Sequence, residues 1–327
     1  MASDYPPPLI IPPRALPHKQ TFILLHGRGS SGDKFGSVLL DTPISTGAPH
    51  SPDDGGTNPP DAQTTTSPTT VQTLATTFPH ARFVFPTAAR RRATVYNRAR
   101  THQWFDNWAL DDDDTPTTAT IAAEREALQV PGLRETTAHL HGLLRAEIAI
   151  AGGAASRVVL GGLSQGCAAA LVALLLWEGP PLAGALGMCG WLPFAGGGVD
   201  EPEEGDDDDD IFDRDGEDEG DGAGGSADYS PAARALQWFR DELELPRPDD
   251  AKAAGSALLH TPIFLGHAVE DDRVNVALGR KATACLEGLG AQTVVWSEYE
   301  GLGHWYSGRM LRDVVEFLER NSDIKLD

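Results

Sequence analysis

Ser164 lies in a sequence setting that could make it a nucleophile. Residues Gly162-Leu163-Ser164-Gln165-Gly166 fit the G-x-S-x-G pattern of a nucleophile elbow, a sharp turn that joins a strand to a helix. An apolar run ends at Leu163, and a run rich in alanine and leucine begins directly after Ser164. The flanking glycines let a strained backbone turn there, and the helix N-terminus would offer N–H groups to a developing oxyanion. The pattern predicts nucleophilic catalysis by Ser164, the alternative being an ordinary serine in a glycine-rich turn.

A general base for this serine is predicted in a glycine-rich loop near the C-terminus. With a nucleophile elbow the chain order is serine, then acid, then histidine. His304 lies in the loop Gly301-Leu302-Gly303-His304-Trp305, between a predicted strand and the last predicted helix. His260 and His267 also follow Ser164, but neither is placed in a loop that suits a base, so we predict His304.

The acid of such a site is expected after the strand that precedes this loop. The predicted strand at residues 262–265 leads into three adjacent carboxylates, Glu270, Asp271 and Asp272. Spacing alone leaves the choice among them open. For each of the three, a solvated loop charge is the alternative interpretation.

Short apolar runs alternate with longer runs of helical spacing, and these elements would position the reactive groups. The predicted strands are residues 21–26, 81–86, 157–163, 182–188, 262–265 and 293–299. The predicted helices are residues 133–150, 165–177 and 310–320. Alternation of this kind indicates a mainly parallel sheet that is covered by helices on both faces.

Length and composition suit one α/β domain over residues 1–327 with two insertions. Of the 327 residues 40% are hydrophobic, which is enough for one sizeable core. Residues 41–70 are rich in Pro, Ser, Thr, Gly and Asp, and residues 196–227 are rich in Gly, Asp and Glu. Neither stretch can bury enough apolar surface to offset the entropy of ordering it, so we predict two disordered surface loops. Residues 111–120 read as a shorter polar connection.

The formal net charge of −22 is concentrated in the second insertion. Residues 200–221 hold fifteen Asp and Glu against the single Arg214, a net charge of −14, which leaves −8 for the rest of the chain. This balance argues against binding to nucleic acid and leaves at most transient contact with a membrane.

The sequence shows no pattern that predicts secretion, a membrane span or a cofactor. The N-terminal residues lack a basic region followed by a long apolar run, and Ala2 stands where N-myristoylation needs glycine. No apolar run approaches the roughly 20 residues of a membrane-spanning helix. The cysteines and histidines have no metal-ligand spacing. We therefore expect a cytoplasmic protein with neither metal nor cofactor.

Six short motifs occur along the chain from about residue 20 to residue 320, with the two insertions as extra length. They are Leu25-His26-Gly27-Arg28-Gly29, Trp104-Phe105-Asp106, Gly162-Leu163-Ser164-Gln165-Gly166, Trp191-Leu192-Pro193, residues 267–274 and Gly301-Leu302-Gly303-His304. In this order they resemble the motifs of the acyl-protein thioesterases and their carboxylesterase and lysophospholipase relatives. The stretch His102-Gln103-Trp104-Phe105-Asp106-Asn107-Trp108 is most similar to fungal members.

The resemblance implies an α/β-hydrolase fold and assigns roles within the site. In the family's H-G-x-x-D-x-x-V pattern the acid lies three residues before the valine, which selects Asp271 with Asp272 as the fallback. The backbone N–H groups of Arg28 and Gln165 are implied as the oxyanion hole. Arg28 replaces the apolar residue usual in that loop, a change that a backbone donor tolerates.

The same resemblance implies hydrolysis of acyl thioesters or esters through an acyl-enzyme. The substrate would be an acylated protein, since removal of S-palmitoyl groups is the best-known role of the family. The alternative is a lipid or small ester, as for a carboxylesterase or lysophospholipase. Trp104, Trp108 and Trp191 are candidates for the acyl pocket, with buried core positions as an equal alternative. An inactive hydrolase fold that binds partners through residues 200–221 is a hypothesis from a different class.

Residues 82–100 contain six arginines and no acidic residue. A solvated basic surface is the simpler interpretation. A sharper hypothesis is that residues 200–221 dock on this run and partly gate the cleft. The arginines are Arg82, Arg90, Arg91, Arg92, Arg98 and Arg100.

Overall fold

Nine strands and eight helices form in the part of the chain that the computed structural model describes, residues 5–45, 71–110, 118–195, 231–245 and 256–324. The strands are β1 (Leu9–Ile11), β2 (Gln20–Leu25), β3 (Ala81–Phe85), β4 (Arg90–Ala93), β5 (Ala99–His102), β6 (Val158–Leu163), β7 (Gly184–Met188), β8 (Ile263–Ala268) and β9 (Val294–Tyr299). The helices are α1 (Gly32–Asp41), α2 (Leu74–Thr77), α3 (Ala119–Ile150), α4 (Gln165–Leu175), α5 (Pro231–Glu242), α6 (Ser256–His260), α7 (Val276–Gly288) and α8 (Gly308–Asn321). Of the two predicted insertions, residues 46–70 and all of 196–227 lie outside the described residues.

Seven of the strands form one sheet in the order β1-β3-β2-β6-β7-β8-β9. β1 is antiparallel to β3, and every other neighbouring pair in this sheet is parallel. All residues of β2, β6, β7 and β8 are buried, as expected for central parallel strands that have helices on both faces. The predicted fold class, a mainly parallel α/β-hydrolase sheet, is confirmed.

Two apolar cores lie on the opposite faces of the sheet. Alternate side chains of β2 enter different cores, since Ile23 and Leu25 pack on the side of α3 and α4, whereas Phe22 and Leu24 pack on the side of α1 and α8. Helix α4 is buried along its whole length, because it crosses the middle of the sheet. The strand ends at the centre of the sheet are thereby held by packing from both sides.

The predicted strands all occur, each within three residues of its expected ends. The helix predicted at residues 133–150 is longer and begins at Ala119. The predicted range begins just after Pro131 and Gly132, but α3 runs through both. Gly132 is needed at this point, because a Cβ there would lie 2.5 Å from the Cα of Phe105. Part of the polar connection expected at residues 111–120 is therefore the first turn of α3.

Several elements were not predicted from the sequence. Strand β1 follows three prolines, α1 contains two glycines and α7 has no strong apolar period, so local patterns did not reveal them. The β4–β5 hairpin is a two-stranded antiparallel unit separate from the main sheet. Four of its eight strand residues are arginines, and they do not alternate with apolar side chains as those of a strand on a core would.

The arginine-rich run is divided by the fold into paired and exposed members. Arg82 on β3 forms an ion pair with Glu147 of α3 at 2.9 Å, and Arg91 forms one with Glu135 at 2.6 Å. The other four arginines lie on the exposed surface of the β4–β5 hairpin and form no ion pair with the described residues. The predicted docking of residues 200–221 on this run stays a hypothesis, because residues 200–221 are not among those that the structure describes. The four exposed arginines are Arg90, Arg92, Arg98 and Arg100.

Candidate active site

Ser164 stands at the junction of β6 and α4 with a strained backbone. Its φ of 58° and ψ of −123° are unusual for a residue with a side chain, and strain of this kind clusters at functional sites. The Ser164 amide donates to the carbonyl oxygen of Met188 at 2.8 Å, which fixes the turn to the end of β7. The predicted strand–turn–helix context of the G-x-S-x-G motif is present.

The two glycines of the motif are required by close packing. A Cβ on Gly162 would lie 2.5 Å from the carbonyl carbon of Gly166. A Cβ on Gly166 would lie 2.5 Å from the carbonyl oxygen of Leu25 and 2.7 Å from that of His26. The turn can therefore approach the end of β2 only without side chains at these positions. This approach brings the segment after β2 beside the serine.

His304 lies in the loop between β9 and α8, with its imidazole against Ser164. The distance from His304 Nε2 to Ser164 Oγ is 2.8 Å. On the other side of the ring, Nδ1 lies 2.7 Å from Oδ2 and 2.9 Å from Oδ1 of Asp271. An ionised carboxylate can only accept, so Nδ1 carries the hydrogen and Nε2 is left to accept from the serine hydroxyl. In this tautomer the imidazole can take up the serine proton.

Asp271 occupies a turn after β8 that orients its carboxylate toward His304. Its Oδ1 accepts the backbone N–H groups of Arg273 and Val274, each at 2.9 Å. Burial by itself would raise the pKa of Asp271, but hydrogen bonds from His267, His304 and the Val274 amide hold that pKa well below its usual range. The carboxylate is therefore ionised and fixed.

The three adjacent carboxylates are separated by the fold. Asp271 is buried against His304, whereas Glu270 and Asp272 are exposed. Glu270 accepts from the backbone N–H of Leu302 at 3.3 Å, and Asp272 lies at the mouth of the cleft. The geometry thus brings the residue chosen by the family resemblance to the imidazole, and leaves the fallback residue away from it.

His267 also contacts the Asp271 carboxylate, and the sequence analysis did not place it in the site. Its Nε2 lies 3.2 Å from Asp271 Oδ2 and 2.9 Å from the carbonyl oxygen of Val274. Both partners are acceptors, so Nε2 carries a hydrogen that the two share. The ring is fully buried on β8. The sequence did contain a signal for this contact. His267 lies near the end of a buried strand, four residues before the acid in the loop that follows.

The two predicted oxyanion donors belong to segments that adjoin Ser164. Gln165 is the first residue of α4, so its N–H has no acceptor within the helix. Gly27 lies beside the serine, since a Cβ placed on it would be 3.9 Å from Ser164 Oγ. The next peptide N–H is that of Arg28. These positions are where two N–H groups could face a developing oxyanion.

His26 orients the peptide that carries the Arg28 N–H. Its Nε2 accepts the backbone N–H of Ala88 at 3.0 Å, so Nδ1 is the donor to the carbonyl oxygen of Gly27 at 2.7 Å. That carbonyl belongs to the same peptide unit as the Arg28 N–H, which therefore points the opposite way. Burial lowers the pKa of His26 to about 4, which keeps the ring neutral and the tautomer fixed.

The side chain of Gln165 ties the serine turn to the segment after β5. Its Oε1 accepts the backbone N–H of Trp104 at 2.9 Å, and its Nε2 donates to Phe105 O at 2.8 Å and Asn107 Oδ1 at 3.0 Å. Asn107 is fully buried and also accepts from Nη2 of Arg28 at 2.5 Å. Sequence reasoning missed this network, because it joins residues from three distant segments.

A cleft of about 230 Å³ opens in front of Ser164 and His304. Trp108 and Trp191 line it, and both stay candidates for an acyl pocket. Trp104 does not: it has no exposed surface, and its Nε1 donates to the carbonyl oxygen of His26 at 2.8 Å. For this residue the core interpretation is the right one, because its indole packs beneath the loop after β2. The other lining residues are Arg28, Val95, Tyr96, Ala109, Leu110, Asp272, Arg273 and Val274.

A second cavity of about 160 Å³ adjoins the first and shares Trp108, Leu110 and Trp191 with it. Its remaining wall is largely apolar. The shared tryptophans therefore stand between the reactive residues and a more apolar space. The remaining residues are Glu126, Gln129, Leu192, Pro193, Phe194, Ala195, Leu278 and Lys281.

Two further features are absent from the described ranges. No group of three or more His, Cys, Asp or Glu side chains is arranged to hold a metal ion there. None of the helices formed by those residues has the length and apolarity needed to cross a bilayer.

Comparison with known proteins places the chain in a family. The family model for phospholipases and carboxylesterases matches residues 63–197 and 245–322. The chain belongs to this family. The predicted resemblance is confirmed, and the protein is a hydrolase of esters or thioesters. The gap between the matched ranges, residues 198–244, contains all of the acidic stretch at residues 200–221.

Individual relatives are similar to this family member at modest identity. Acyl-protein thioesterase 1 of Schizosaccharomyces pombe is 33% identical over 118 residues, which are 36% of this chain and 46% of that protein. Acyl-protein thioesterase 1 of Gibberella zeae is 26% identical over 239 residues, 73% of this chain and 76% of that protein. The crystal structure of acyl-protein thioesterase 2 from Zea mays superposes with a TM-score of 0.56 at 19% identity, covering 96% of this chain and 98% of that one. This last likeness supports the fold.

Proposed function

We propose that this hydrolase removes acyl groups from protein thioesters, with Ser164, His304 and Asp271 as a catalytic triad. The observation that carries the proposal is the unbroken hydrogen-bond chain from Ser164 Oγ through the His304 imidazole to the Asp271 carboxylate, with contacts of 2.8 and 2.7 Å. A nucleophile, a base and a group that orients the base are what covalent acyl transfer requires.

Acylation begins with attack of Ser164 Oγ on the carbonyl carbon of the thioester. His304 Nε2 takes the hydroxyl proton, and Asp271 stabilises the imidazolium that forms. The carbonyl oxygen becomes an oxyanion that accepts hydrogen bonds from the backbone N–H groups of Arg28 and Gln165. One such donor stabilises the transition state by roughly 2.7–4 kcal/mol. Collapse of the tetrahedral intermediate breaks the C–S bond. The imidazolium returns the proton to the departing thiolate.

Deacylation repeats these steps with water. His304 takes a proton from a water molecule as it attacks the carbonyl carbon of the acyl-serine. The second tetrahedral intermediate collapses, releases the carboxylic acid and returns the proton to Ser164. A thioester and an oxyester pass through similar intermediates, so the reacting groups accept both.

The acyl chain is proposed to run from Ser164 between Trp108 and Trp191 into the adjoining cavity. That cavity offers Leu192, Phe194 and Leu278, which can bury methylene groups at roughly 0.8 kcal/mol each. The names of the fungal relatives, acyl-protein thioesterase 1, support a protein-borne acyl group. A second candidate is a carboxylesterase for short esters, favoured by the small volume of the first cavity, about 230 Å³.

The test is a matched substrate panel, in which kcat/KM is measured for thioesters and oxyesters of two to sixteen carbons. The acyl-protein thioesterase proposal expects values that rise with chain length on thioesters, and a loss of that rise in Trp191→Ala. Highest values on two- to four-carbon oxyesters would favour the second candidate. Activity that survives in Ser164→Ala would contradict the nucleophile assignment.

Labelling with a fluorophosphonate probe separates both candidates from an inactive hydrolase fold. The proposal expects a covalent adduct on Ser164 in the wild-type chain. Ser164→Ala is the matched control and should give no adduct. A correctly folded wild-type protein that does not react would favour the binding hypothesis.

A further inference from the structure

The guanidinium of Arg28 lies in the cleft in front of the reactive residues and is held in one orientation. Its Nη2 donates to Oδ1 of Asn107 at 2.5 Å. Asn107 is itself fixed, because its Oδ1 accepts from Gln165 and its Nδ2 donates to the carbonyl oxygen of Trp108 at 2.8 Å. An exposed arginine samples many rotamers, whereas this one is anchored to a fully buried amide. Its position is therefore a fixed property of the cleft.

The charge of this guanidinium has no counterion within hydrogen-bond reach in the part of the chain that the structure describes. Its Nε is buried without a hydrogen-bond partner there. Burial lowers the pKa of Arg28, because the cation is partly removed from water. Asp106 attracts it from a distance, but the Asp106 carboxylate accepts from the Thr94 N–H at 2.9 Å and hydroxyl at 2.8 Å.

A desolvated cation with unused donors is stabilised by an anion that enters the cleft. Guanidinium donors match a carboxylate in charge and in geometry, and hydrogen bonds to charged groups are about twice as strong as neutral ones. The residue before Arg28 lies beside Ser164, so such an anion would be close to the scissile bond. Other charged residues that line the cleft are Asp272 and Arg273, which are both exposed and therefore better solvated.

We propose that Arg28 determines specificity for substrates that carry a carboxylate near the scissile carbonyl. This inference rests on the proposed function, because it concerns substrates of the same site. The carboxylate can belong to the acyl chain, as in a dicarboxylic half-thioester, or to the leaving group, as in an acidic residue close to an acylated cysteine. Both sources present the same chemistry to the guanidinium.

The test compares substrate pairs that differ only in a carboxylate or a carboxamide. One pair carries the group at the end of a six-carbon acyl chain, and the other pair carries it on a 3-mercaptopropionyl leaving group. The released thiol is measured. The wild-type enzyme should prefer the carboxylate in one pair by roughly tenfold or more in kcat/KM, as for a hydrogen bond to a charged group. The pair that shows the preference identifies the source.

Variants of Arg28 keep the backbone N–H and change only the side chain. Arg28→Met should bring the carboxylate-to-carboxamide ratio close to one, and Arg28→Lys should retain part of it, because lysine keeps the charge without the fork. Arg273→Met is the matched control from the same cleft and should keep the wild-type ratio. A ratio that is lost in Arg273→Met and kept in Arg28→Met would overturn the inference. So would an equal loss of kcat/KM on the carboxylate and the carboxamide member of each pair in Arg28→Met.

Binding to the Ser164→Ala variant keeps the inference testable apart from turnover. Calorimetry with the intact thioesters should show tighter binding of the carboxylate member, and Ser164→Ala/Arg28→Met should not. If wild-type hydrolysis depends on Ser164 but no ratio departs from one, the Arg28 inference fails alone. If no thioester is hydrolysed while the binding preference is present, the proposed function fails and the Arg28 site stands.

Discussion

The two sides of the cleft are built in different ways. The reactive side consists of Ser164, Asp271 and His304, which follow β6, β8 and β9 and sit at the same edge of the sheet. The opposite side is the β4–β5 hairpin, residues 90–102, whose tip places Val95 and Tyr96 in the cleft. The first is held by buried strands and hydrogen bonds, and the second is largely exposed.

The difference shows where this fold tolerates change. On the reactive side each polar group has a fixed partner, so a substitution disturbs several contacts at once. On the hairpin, the side chains of Arg90 and Arg92 donate to backbone carbonyl oxygens of Arg100 and Arg98. Their side chains are exposed, so their removal should change the free energy of unfolding little. We expect sequence change to be costly on one side of the cleft and mild on the other.

The largest effect is expected from Asp271→Asn. The amide can present N–H to His304 Nδ1 and so stabilise the wrong tautomer, which would lower kcat by roughly 10⁴-fold while the fold is retained. The measurement is kcat by steady-state kinetics, with circular dichroism as the check on folding. Asp272→Asn is the matched control and should change kcat by less than about tenfold. The reverse order would contradict the assignment of the acid.

His26 is expected to make the reactive side sensitive to acid. Its pKa is about 4 in the folded chain and 6.5 in an unfolded one, so the unfolded state takes up a proton first as pH falls. The contribution of neutral His26 to the free energy of unfolding is therefore complete above pH 6.5 and is lost as the pH falls from 6.5 to 4. The full loss is on the order of 3 kcal/mol. Urea unfolding of wild type and His26→Asn at pH 7 and pH 5 checks this. The wild-type advantage should shrink at pH 5, and an unchanged difference would contradict it.

Gly166 tests the close approach of the serine turn to the end of β2. Gly166→Ala would press a Cβ against the carbonyl oxygens of Leu25 and His26, both backbone atoms that cannot move aside. We expect a loss of roughly 1–3 kcal/mol in the free energy of unfolding. Gly303→Ala is the control, because no atom lies within 4 Å of a Cβ at that position. Equal stability of the two variants would show that the turn relaxes.

The smallest effect is expected on the hairpin. Arg92→Met should change the free energy of unfolding by no more than about 0.5 kcal/mol, as is usual at exposed positions. Arg91→Met should cost more, up to about 1 kcal/mol, since Arg91 pairs with Glu135 and donates to the Tyr5 hydroxyl. Both are read from thermal or urea unfolding. A larger loss for Arg92→Met than for Arg91→Met would remove the contrast between paired and exposed arginines.

Sequence patterns predicted the parts of the site that depend on local backbone geometry. The G-x-S-x-G motif predicted the turn at Ser164, because glycine spacing and the change from an apolar run to a helical one are local properties. The loop position of His304 followed from chain order. The start predicted at residue 133 for the long helix was wrong, because α3 runs through Pro131 and Gly132, where Gly132 packs closely on Phe105.

The sequence by itself determined three things. They are the α/β class, the apolar runs that become the central strands, and the strand–turn–helix setting of the nucleophile. The sequence left three carboxylates open, and only the family resemblance chose Asp271. Tertiary structure decided which carboxylate meets His304, that Trp104 is core, and that His267, Asn107 and the Gln165 side chain support the site. The physical reason is separation along the chain. These contacts join residues on different strand ends, so only packing of the whole sheet brings them within hydrogen-bond distance.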